Sequence, residues 1–217
     1  WRIAGGAEQP PTQFLAGIEL LHAGSLIIDD VQDNSLTRRG QPCLHHTMGI
    51  GPALNLGNWL YFVAIHVLGR CGEHSQKNRV SEAINRTLIR CHNGQSLDLS
   101  LKVHSLDQGK VQELVATTTE LKTGALTALA LRLGGLHLGQ SDEENEAIAN
   151  LGVGLGVALQ MFDDLSGVLN PARRHKGRED FRAARPTWPW AWLASTLDSL
   201  EFARLQAYHR THQTDQD

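Results

Sequence analysis

The sequence predicts an all-α protein, one bundle of helices, on three observations. No proline stands between Pro52 and Pro171, and this span is rich in Leu and Ala, so successive helices run unbroken and strands are few. Upstream, Phe14, Leu15, Ile18, Leu21, His22, Ser25 and Leu26 recur at three- and four-residue steps, which marks one helix face. Two aspartate pairs, Asp29-Asp30 and Asp163-Asp164, each close a long apolar helical run.

Taken in order, residues 1–11 are Gly/Pro-rich and read as a loop. A helix starts at Thr12, a candidate N-cap, and carries its apolar face on to Asp29 and Asp33. Residues 37–48, with Gly40 and Pro42, read as a loop. Helices are then expected over roughly 52–69, 78–103, 108–136 and 143–168. Ser141-Asp142-Glu143-Glu144 opens the last of these, with acids placed to suit the helix dipole. A helix-poor basic loop follows over 171–187, and a final helix starts near Trp188. No internal repeat, linker or low-complexity tract divides the chain.

The composition excludes several classes of function. At 217 residues the chain is long enough for one domain with a real core. Hydrophobic residues make up 41% and charged residues 20%, ordinary values for a water-soluble globular protein. The net charge is −3 with no basic block, so no nucleic-acid partner is expected. Apolar segments such as 59–65 are far too short for a transmembrane segment. Cys43, Cys71 and Cys91 are odd in number and widely spaced, which suits a reducing compartment. A cytoplasmic enzyme is the expectation.

The chemistry concentrates at Asp29-Asp30-Val31-Gln32-Asp33. On a helix Asp29 and Asp33 stack at i and i+4, with Asp30 about 100° round. Two bare anions at that spacing repel, so a divalent cation between them makes most sense. Oxygen ligands favour magnesium, which completes its shell with water and substrate phosphate. Arg38 and Arg39 offer forked donors that fit phosphate oxygens. The second pair follows Gln160, which shares a face with Asp163 one turn on. Facing each other, the two pairs would clamp a diphosphate through magnesium. The competing account of either motif alone is a helix end carrying solvated charge.

Other patterns carry less. Cys43, His45 and His46 lack a second ligand pair at zinc spacing. Gly152, Gly154 and Gly156 fail the dinucleotide-loop spacing, and close helix packing explains them better. Trp188, Trp190 and Trp192 read as a packing anchor or a subunit contact.

These residues resemble the trans-prenyl diphosphate synthases, and the similarity runs nearly the whole length. Asp29-Asp30-Val31-Gln32-Asp33 with Arg38-Arg39-Gly40 looks like the family's first aspartate-rich motif and its arginine pair, continued by Pro42 and His45. Asn58-Trp59-Leu60-Tyr61-Phe62 is similar to the following helix. Gly94-Gln95-Ser96-Leu97-Asp98-Leu99 matches the Gly-Gln-x-x-Asp-Leu motif, and Lys122-Thr123-Gly124 the Lys-Thr-Gly motif. Gln160-Met161-Phe162-Asp163-Asp164 resembles the second aspartate-rich motif, and Lys176 to Pro189 the family's basic loop.

The resemblance implies an isoprenoid-synthase-type helical bundle around a central active-site cavity, geranylgeranyl diphosphate synthase-like and homodimeric. It implies that an allylic diphosphate is joined to isopentenyl diphosphate. Asp29 and Asp33 would hold two magnesium ions and Asp163 a third, with Asp30 and Asp164 also counted as candidate metal ligands. Arg38, Lys122 and Arg185 would neutralise the departing pyrophosphate, and Lys176 is a further substrate-binding candidate. Lys122, Thr123 and Gln160 would lie near the allylic cation, and Arg39 and His22 would hold isopentenyl diphosphate. Gln95 and Asp98 would support Lys122. Gly24 and Ser25 are small where bulky residues would close the pocket, so its floor is expected from Leu54, Asn58 or Phe62 of the next helix, which favours a product of twenty carbons or more.

Departures from the family pattern are as informative. A Gly-Lys-x-x-Arg-Pro segment that adds isopentenyl contacts would precede Trp1; either sequence is missing there or that half of the site is weaker. The segment after Trp192 is short, so 1–217 is expected to be a single synthase domain lacking N-terminal and some C-terminal sequence. Gly167 replaces a third aspartate, Arg185 replaces a lysine, and Lys176 is offset by one residue. Three functions remain open: the chain-elongating synthase; a terpene cyclase or a prenyltransferase to another acceptor; and a non-catalytic regulatory subunit. Arg38-Arg39-Gly40 and Lys122-Thr123-Gly124 favour the first, because cyclases generally lack that second phosphate site. Intact Asp29, Asp33 and Asp163 weigh against the third.

Overall fold

The computed structural model describes residues 1–71 and 76–212. Helices dominate: α1 (Thr12–Gln32), α2 (Leu44–Met48), α3 (Ile50–Gly69), α4 (Lys77–Ser100), α5 (Gln108–Thr119), α6 (Ala125–His137), α7 (Asp142–Leu169), α8 (Arg174–Arg182), α9 (Trp188–Thr196) and α10 (Ser199–His212). A two-residue ribbon, β1 (Thr37–Arg38) and β2 (Gln41–Pro42), is the only strand pairing among the described residues. The predicted all-α class holds. No helix of the described residues is long and apolar enough to cross a membrane.

Contacts group the chain into two compact units, residues 1–87 with 128–151, and residues 88–127 with 152–217. In the first unit, α1 packs along α3 through glycines. A β-carbon on Gly17 would lie 2.4 Å from the Leu68 side chain, and one on Gly24 would lie 2.9 Å from the Gly57 carbonyl oxygen. Leu21, Ala53, Ala64 and Leu68 fill that seam, each essentially buried. Every such leucine withdrawn from water contributes roughly 1.5–3 kcal/mol. In the second unit, the core joins Val103, Val111 and Val115 to Ala184, Trp188, Trp190, Ala191 and Phe202. Trp188 and Trp190 are therefore packing anchors.

Several boundaries differ from expectation. Thr12 is the first helical residue and Pro11 stands at the N-cap, extended at φ −55° and ψ 128°. The expected loop 37–48 holds the β-ribbon and α2, which are too short to leave a periodic signal. The helix expected at 108–136 is two helices joined by a π-helical turn at Glu120–Gly124. The expected loop 171–187 contains α8. There Asn170 accepts a hydrogen bond from the Ala172 amide at 3.0 Å and starts the segment, while Gly177 is a close-packing residue. At α7 the expectation is met: Ser141 and Glu144 form a reciprocal capping box, with the Ser141 amide donating to Glu144 at 2.9 Å.

Candidate active-site residues

In the first unit the site is built at the end of α1. The helix continues through Asp29, and the Asp33 amide still donates to the Asp29 carbonyl at 2.8 Å. Asp29 and Asp33 are half-buried, whereas Asp30 is 5% exposed. A carboxylate so covered needs a charged partner, and the ribbon supplies it. Arg39 and Gly40, at φ 53° and 77°, form the two-residue turn between Arg38 and Gln41. Both positive φ values match the turn that suits a tight hairpin, which explains a glycine after the arginines. The turn sends Arg38 back over α1, where Nε donates to both Asp30 oxygens at 2.8 Å and Nη2 to Oδ1 at 2.6 Å. These bonds hold the guanidinium pKa above its ordinary value, against the opposing effect of burial. Arg38 Nη2 also lies 3.9 Å from Asp29 Oδ2. Arg39 sits exposed at the tip, and His22 is half-buried earlier on α1.

The residues expected around the pocket floor have the following surroundings. Gly24 is small because α3 packs on it, with Leu60 Cβ and Tyr61 Cδ1 at 3.2 and 3.4 Å from where its β-carbon would be. The Ser25 hydroxyl donates to the His22 carbonyl at 2.8 Å. Phe62 is 71% exposed in the chain's own fold.

In the second unit the π-turn is the organising feature. π-Turns inside helices often occur at functional sites, because they re-aim side chains. Here the turn carries Lys122 and Thr123 between two closely approaching helices. A β-carbon on Gly94 of α4 would lie 2.6 Å from the Lys122 backbone nitrogen, and one on Gly156 of α7 would lie 2.7 Å from Gly124 Cα. The approach brings Lys122 Nζ to Asp98 Oδ2 at 2.7 Å. It also lets the Thr123 hydroxyl donate to Gln160 Oε1 at 3.1 Å.

Gln160 Nε2 donates to Asp164 Oδ1 at 2.7 Å, and the Trp188 amide donates to Asp164 Oδ2 at 3.0 Å. Burial pushes the Asp164 pKa up, partly offset by those two bonds. Asp163 instead faces α8, accepting from Arg173 Nη2 at 2.5 Å and from Lys176. Burial alone would raise its pKa; Lys176 and Arg173 outweigh it and hold the carboxyl below its usual value. Gly167 makes this possible. A β-carbon on Gly177 would lie 2.4 Å from the Gly167 carbonyl oxygen, so a residue with a side chain at 167 or 177 would push α8 away. Arg185 Nη1 lies 3.9 Å from both Asp98 Oδ2 and Asp180 Oδ1.

Burial pushes Asp180 up to about 6, against the pull of Lys176 and Arg185. The folded state therefore binds a proton here that the unfolded chain has lost between about pH 4 and pH 6, so Asp180 costs stability as pH rises through that window. The expected outcome for Asp180→Asn is a melting temperature that falls less between pH 4.5 and 6.5 than the wild-type value. Parallel curves in thermal melts across that range would exclude this coupling.

The carboxylates fit magnesium by donor type: Asp29 and Asp33 are hard oxygen ligands one turn apart. Among the described residues no group of three or more His, Cys, Asp or Glu is arranged to hold a metal. A cation bound by one or two carboxylates would draw its other ligands from water and phosphate, as magnesium does. Two participants were missed at the sequence level. Arg173 lay unremarked in a basic run, and Asp180 in a segment read as loop.

Residues 7–217 match the family described as polyprenyl synthetase. The chain is 33% identical over 174 residues to a geranylgeranyl pyrophosphate synthase of Macrophomina phaseolina, covering 79% of this chain and 51% of that protein. It is 31% identical over 175 residues to a geranylfarnesyl diphosphate synthase of Aeropyrum pernix, covering 77% of this chain and 54% of that one. The chain thus spans about half the length of these relatives. Its fold is similar to the crystal structure of a polyprenyl synthetase from Streptomyces coelicolor, with a TM-score of 0.79, 25% identity, and coverage of 93% of this chain and 59% of that one.

Proposed function

Because the chain belongs to the polyprenyl synthetase family, we propose that it joins an allylic diphosphate to isopentenyl diphosphate and releases a prenyl diphosphate longer by five carbons. The observation that carries this reading is the end of α1, where Asp29 and Asp33 stand one turn apart and the Arg38-Arg39 turn folds back beside them. Hard anions with forked cations alongside suit a magnesium diphosphate better than any other small ligand.

In this reading Asp29, Asp33 and Asp163 would hold magnesium. When bound, magnesium supplies charge neutralisation for the departing pyrophosphate. Arg38, Lys122, Lys176 and Arg185 act on the same leaving group by electrostatics. Lys122, Thr123 and Gln160 flank the developing allylic cation, whose positive charge favours the Thr123 and Gln160 oxygens. Arg39 and His22 hold isopentenyl diphosphate. Its double bond attacks the allylic carbon as the C–O bond breaks, and a proton leaves to the pyrophosphate. Orientation and charge do the chemistry, with no covalent nucleophile on the protein.

The product proposed has twenty carbons or more, supported by relatives that make geranylgeranyl and geranylfarnesyl chains. A homodimer is proposed on the exposed Trp59 and Phe62 of α3, at 56% and 71% exposure. Cys43, Cys71 and Cys91 form no disulfide, which suits the cytoplasm.

The test is a product assay with magnesium and radiolabelled isopentenyl diphosphate, offered with dimethylallyl, geranyl or farnesyl diphosphate in turn. A labelled alcohol of twenty or more carbons after dephosphorylation is the expected outcome. Consumption of the allylic substrate without label in the product would point to a cyclase or another acceptor. An inert protein would favour a regulatory subunit.

A further inference from the structure

The stretch that closes α4 grips Arg185 twice, once by its side chain and once through the backbone before it. We propose that Lys102 is a positioning residue that holds the turn carrying Arg185 and so presents its guanidinium to the diphosphate. The inference rests on the functional reading above and goes beyond it by giving a part to a lysine that stands outside every motif of the sequence.

Helix α8 ends at Arg182, and the last carbonyls of a helix have no partner within it. Here the chain folds back on its own ladder. The Ala184 amide donates to the Phe181 carbonyl at 3.0 Å, and the Arg185 amide to the Asp180 carbonyl at 3.1 Å. That pair of bonds requires a left-handed residue, a place usually taken by glycine. Ala184 takes it, at φ 55°, and is wholly buried. A side chain is strained there, because its β-carbon crowds the following carbonyl oxygen. The turn therefore has to be held from outside.

Residues 98–103 hold it. Lys102 Nζ donates to the Ala183 carbonyl at 2.9 Å, and the Val103 amide to the Ala184 carbonyl at 2.8 Å. An ammonium at this end of α8 also meets the favourable end of the helix dipole. His209 Nε2 meets the carbonyl of Phe181, still inside α8, so the turn beyond it falls to Lys102 and Val103. Four residues before Lys102, Asp98 Oδ2 lies 3.9 Å from Arg185 Nη1, and the Arg185 side chain is 13% exposed. One short segment thus fixes the backbone that leads into Arg185 and faces its guanidinium. Without Lys102 the strained turn is free to relax and to swing the guanidinium off Asp98 and Asp180.

The test is calorimetry on the full chain with magnesium and inorganic pyrophosphate, which needs no turnover, paired with thermal melts. Lys102→Met is expected to weaken pyrophosphate binding by about tenfold, the scale of one lost charge-assisted hydrogen bond. Lys102→Arg keeps a cationic donor and should bind within about twofold of wild type. In an Arg185→Met background, Lys102→Met should add less than about twofold, because the two side chains act as one. Gln108→Ala is the control for a fold that is merely loosened. It removes two bonds, to the Ala194 and Leu197 carbonyls, each 2.9 Å. It should lower the melting temperature and leave pyrophosphate affinity within about twofold of wild type.

Losses that simply add in the double variant would overturn the proposal, as would Lys102→Met binding like wild type or Lys102→Arg failing to restore affinity. Equal affinity losses in Gln108→Ala and Lys102→Met would reduce Lys102 to a structural part and overturn it as well. If Lys102→Met does not fold, Lys102→Gln, which keeps a neutral donor, enters the same cycle with Arg185→Met and decides the point. A wild type that binds no magnesium pyrophosphate overturns this inference together with the functional reading. The expected binding pattern without any prenyl product in the assay above would sink the functional reading alone.

Discussion

Asp29→Asn and Asp33→Asn are each expected to lower kcat/KM for the allylic diphosphate by about 10²–10³-fold, the range seen when one preorganised charge-stabilising group is lost. The same variants should melt close to wild type. The reason lies in where the carboxylates stand. Asp29 lies in the last turn of α1 and Asp33 at its C-cap, at the end of the helix dipole that disfavours negative charge. Removing one acid there relieves dipole and like-charge repulsion worth a few tenths of a kcal/mol. For Asp29 that gain is set against the 3.9 Å pair with Arg38, a partly exposed ion pair worth no more than about 1 kcal/mol. A structural carboxylate would behave in the opposite way, costing stability while sparing turnover. Steady-state kinetics paired with thermal melts separates the two. Full activity in Asp29→Asn with unchanged magnesium dependence would remove that residue from the proposed ligand set.

Gly94→Ala is the second large effect, and here stability and activity should fall together. On an exposed helix the change would help by roughly 0.8–1.0 kcal/mol from helix propensity. At this position the new β-carbon would meet the Lys122 nitrogen at 2.6 Å and the Leu121 carbonyl carbon at 2.9 Å. Backbone atoms inside a packed turn cannot rotate away, so overpacking of about 1–3 kcal/mol wins. At roughly 2–4 °C per kcal/mol for a chain of this size, the melting temperature should drop by several degrees. The displaced π-turn should also break the 2.7 Å Lys122–Asp98 ion pair and weaken pyrophosphate release. Gly156→Ala presses on the same turn from α7, near Gly124 Cα and Thr127 Oγ1. Because the two share a partner, their combined loss should differ from the sum. Additive losses in a double-mutant cycle would show that the turn is not squeezed from both sides.

Much of the site was legible in advance because it lies in local pattern. The i, i+4 spacing of Asp29 and Asp33 needs only a helix, and the helix start at Ser141-Asp142-Glu143-Glu144 needs only four residues. Gly167 was less legible. It was read as an absent aspartate, but its role is to let Gly177 approach its carbonyl, and so to seat α8 with Lys176 and Arg173 beside Asp163. Similarly, Gly24 was read as space for a growing chain, and its missing β-carbon also lets α3 pack close, with the Gly57 carbonyl oxygen 2.9 Å from where that carbon would lie. A glycine leaves no periodic signature that distinguishes a cavity from a close contact. Arg173 could have been found only by knowing that α8 forms, and that depends on the Gly167–Gly177 contact.

The sequence by itself determined the helical class, the positions of most helices, and the placing of two acidic clusters at helix ends. These follow from apolar periodicity, the proline-free span and the identities of neighbouring residues, all of which act within a few turns of chain. Tertiary structure decided which aspartate of each pair turns inward, that the segment from Glu120 to Gly124 opens into a π-turn, and which cation meets which carboxylate. Those outcomes depend on how closely separate helices approach, and Gly94, Gly156 and Gly177 set that distance through side chains they do not have.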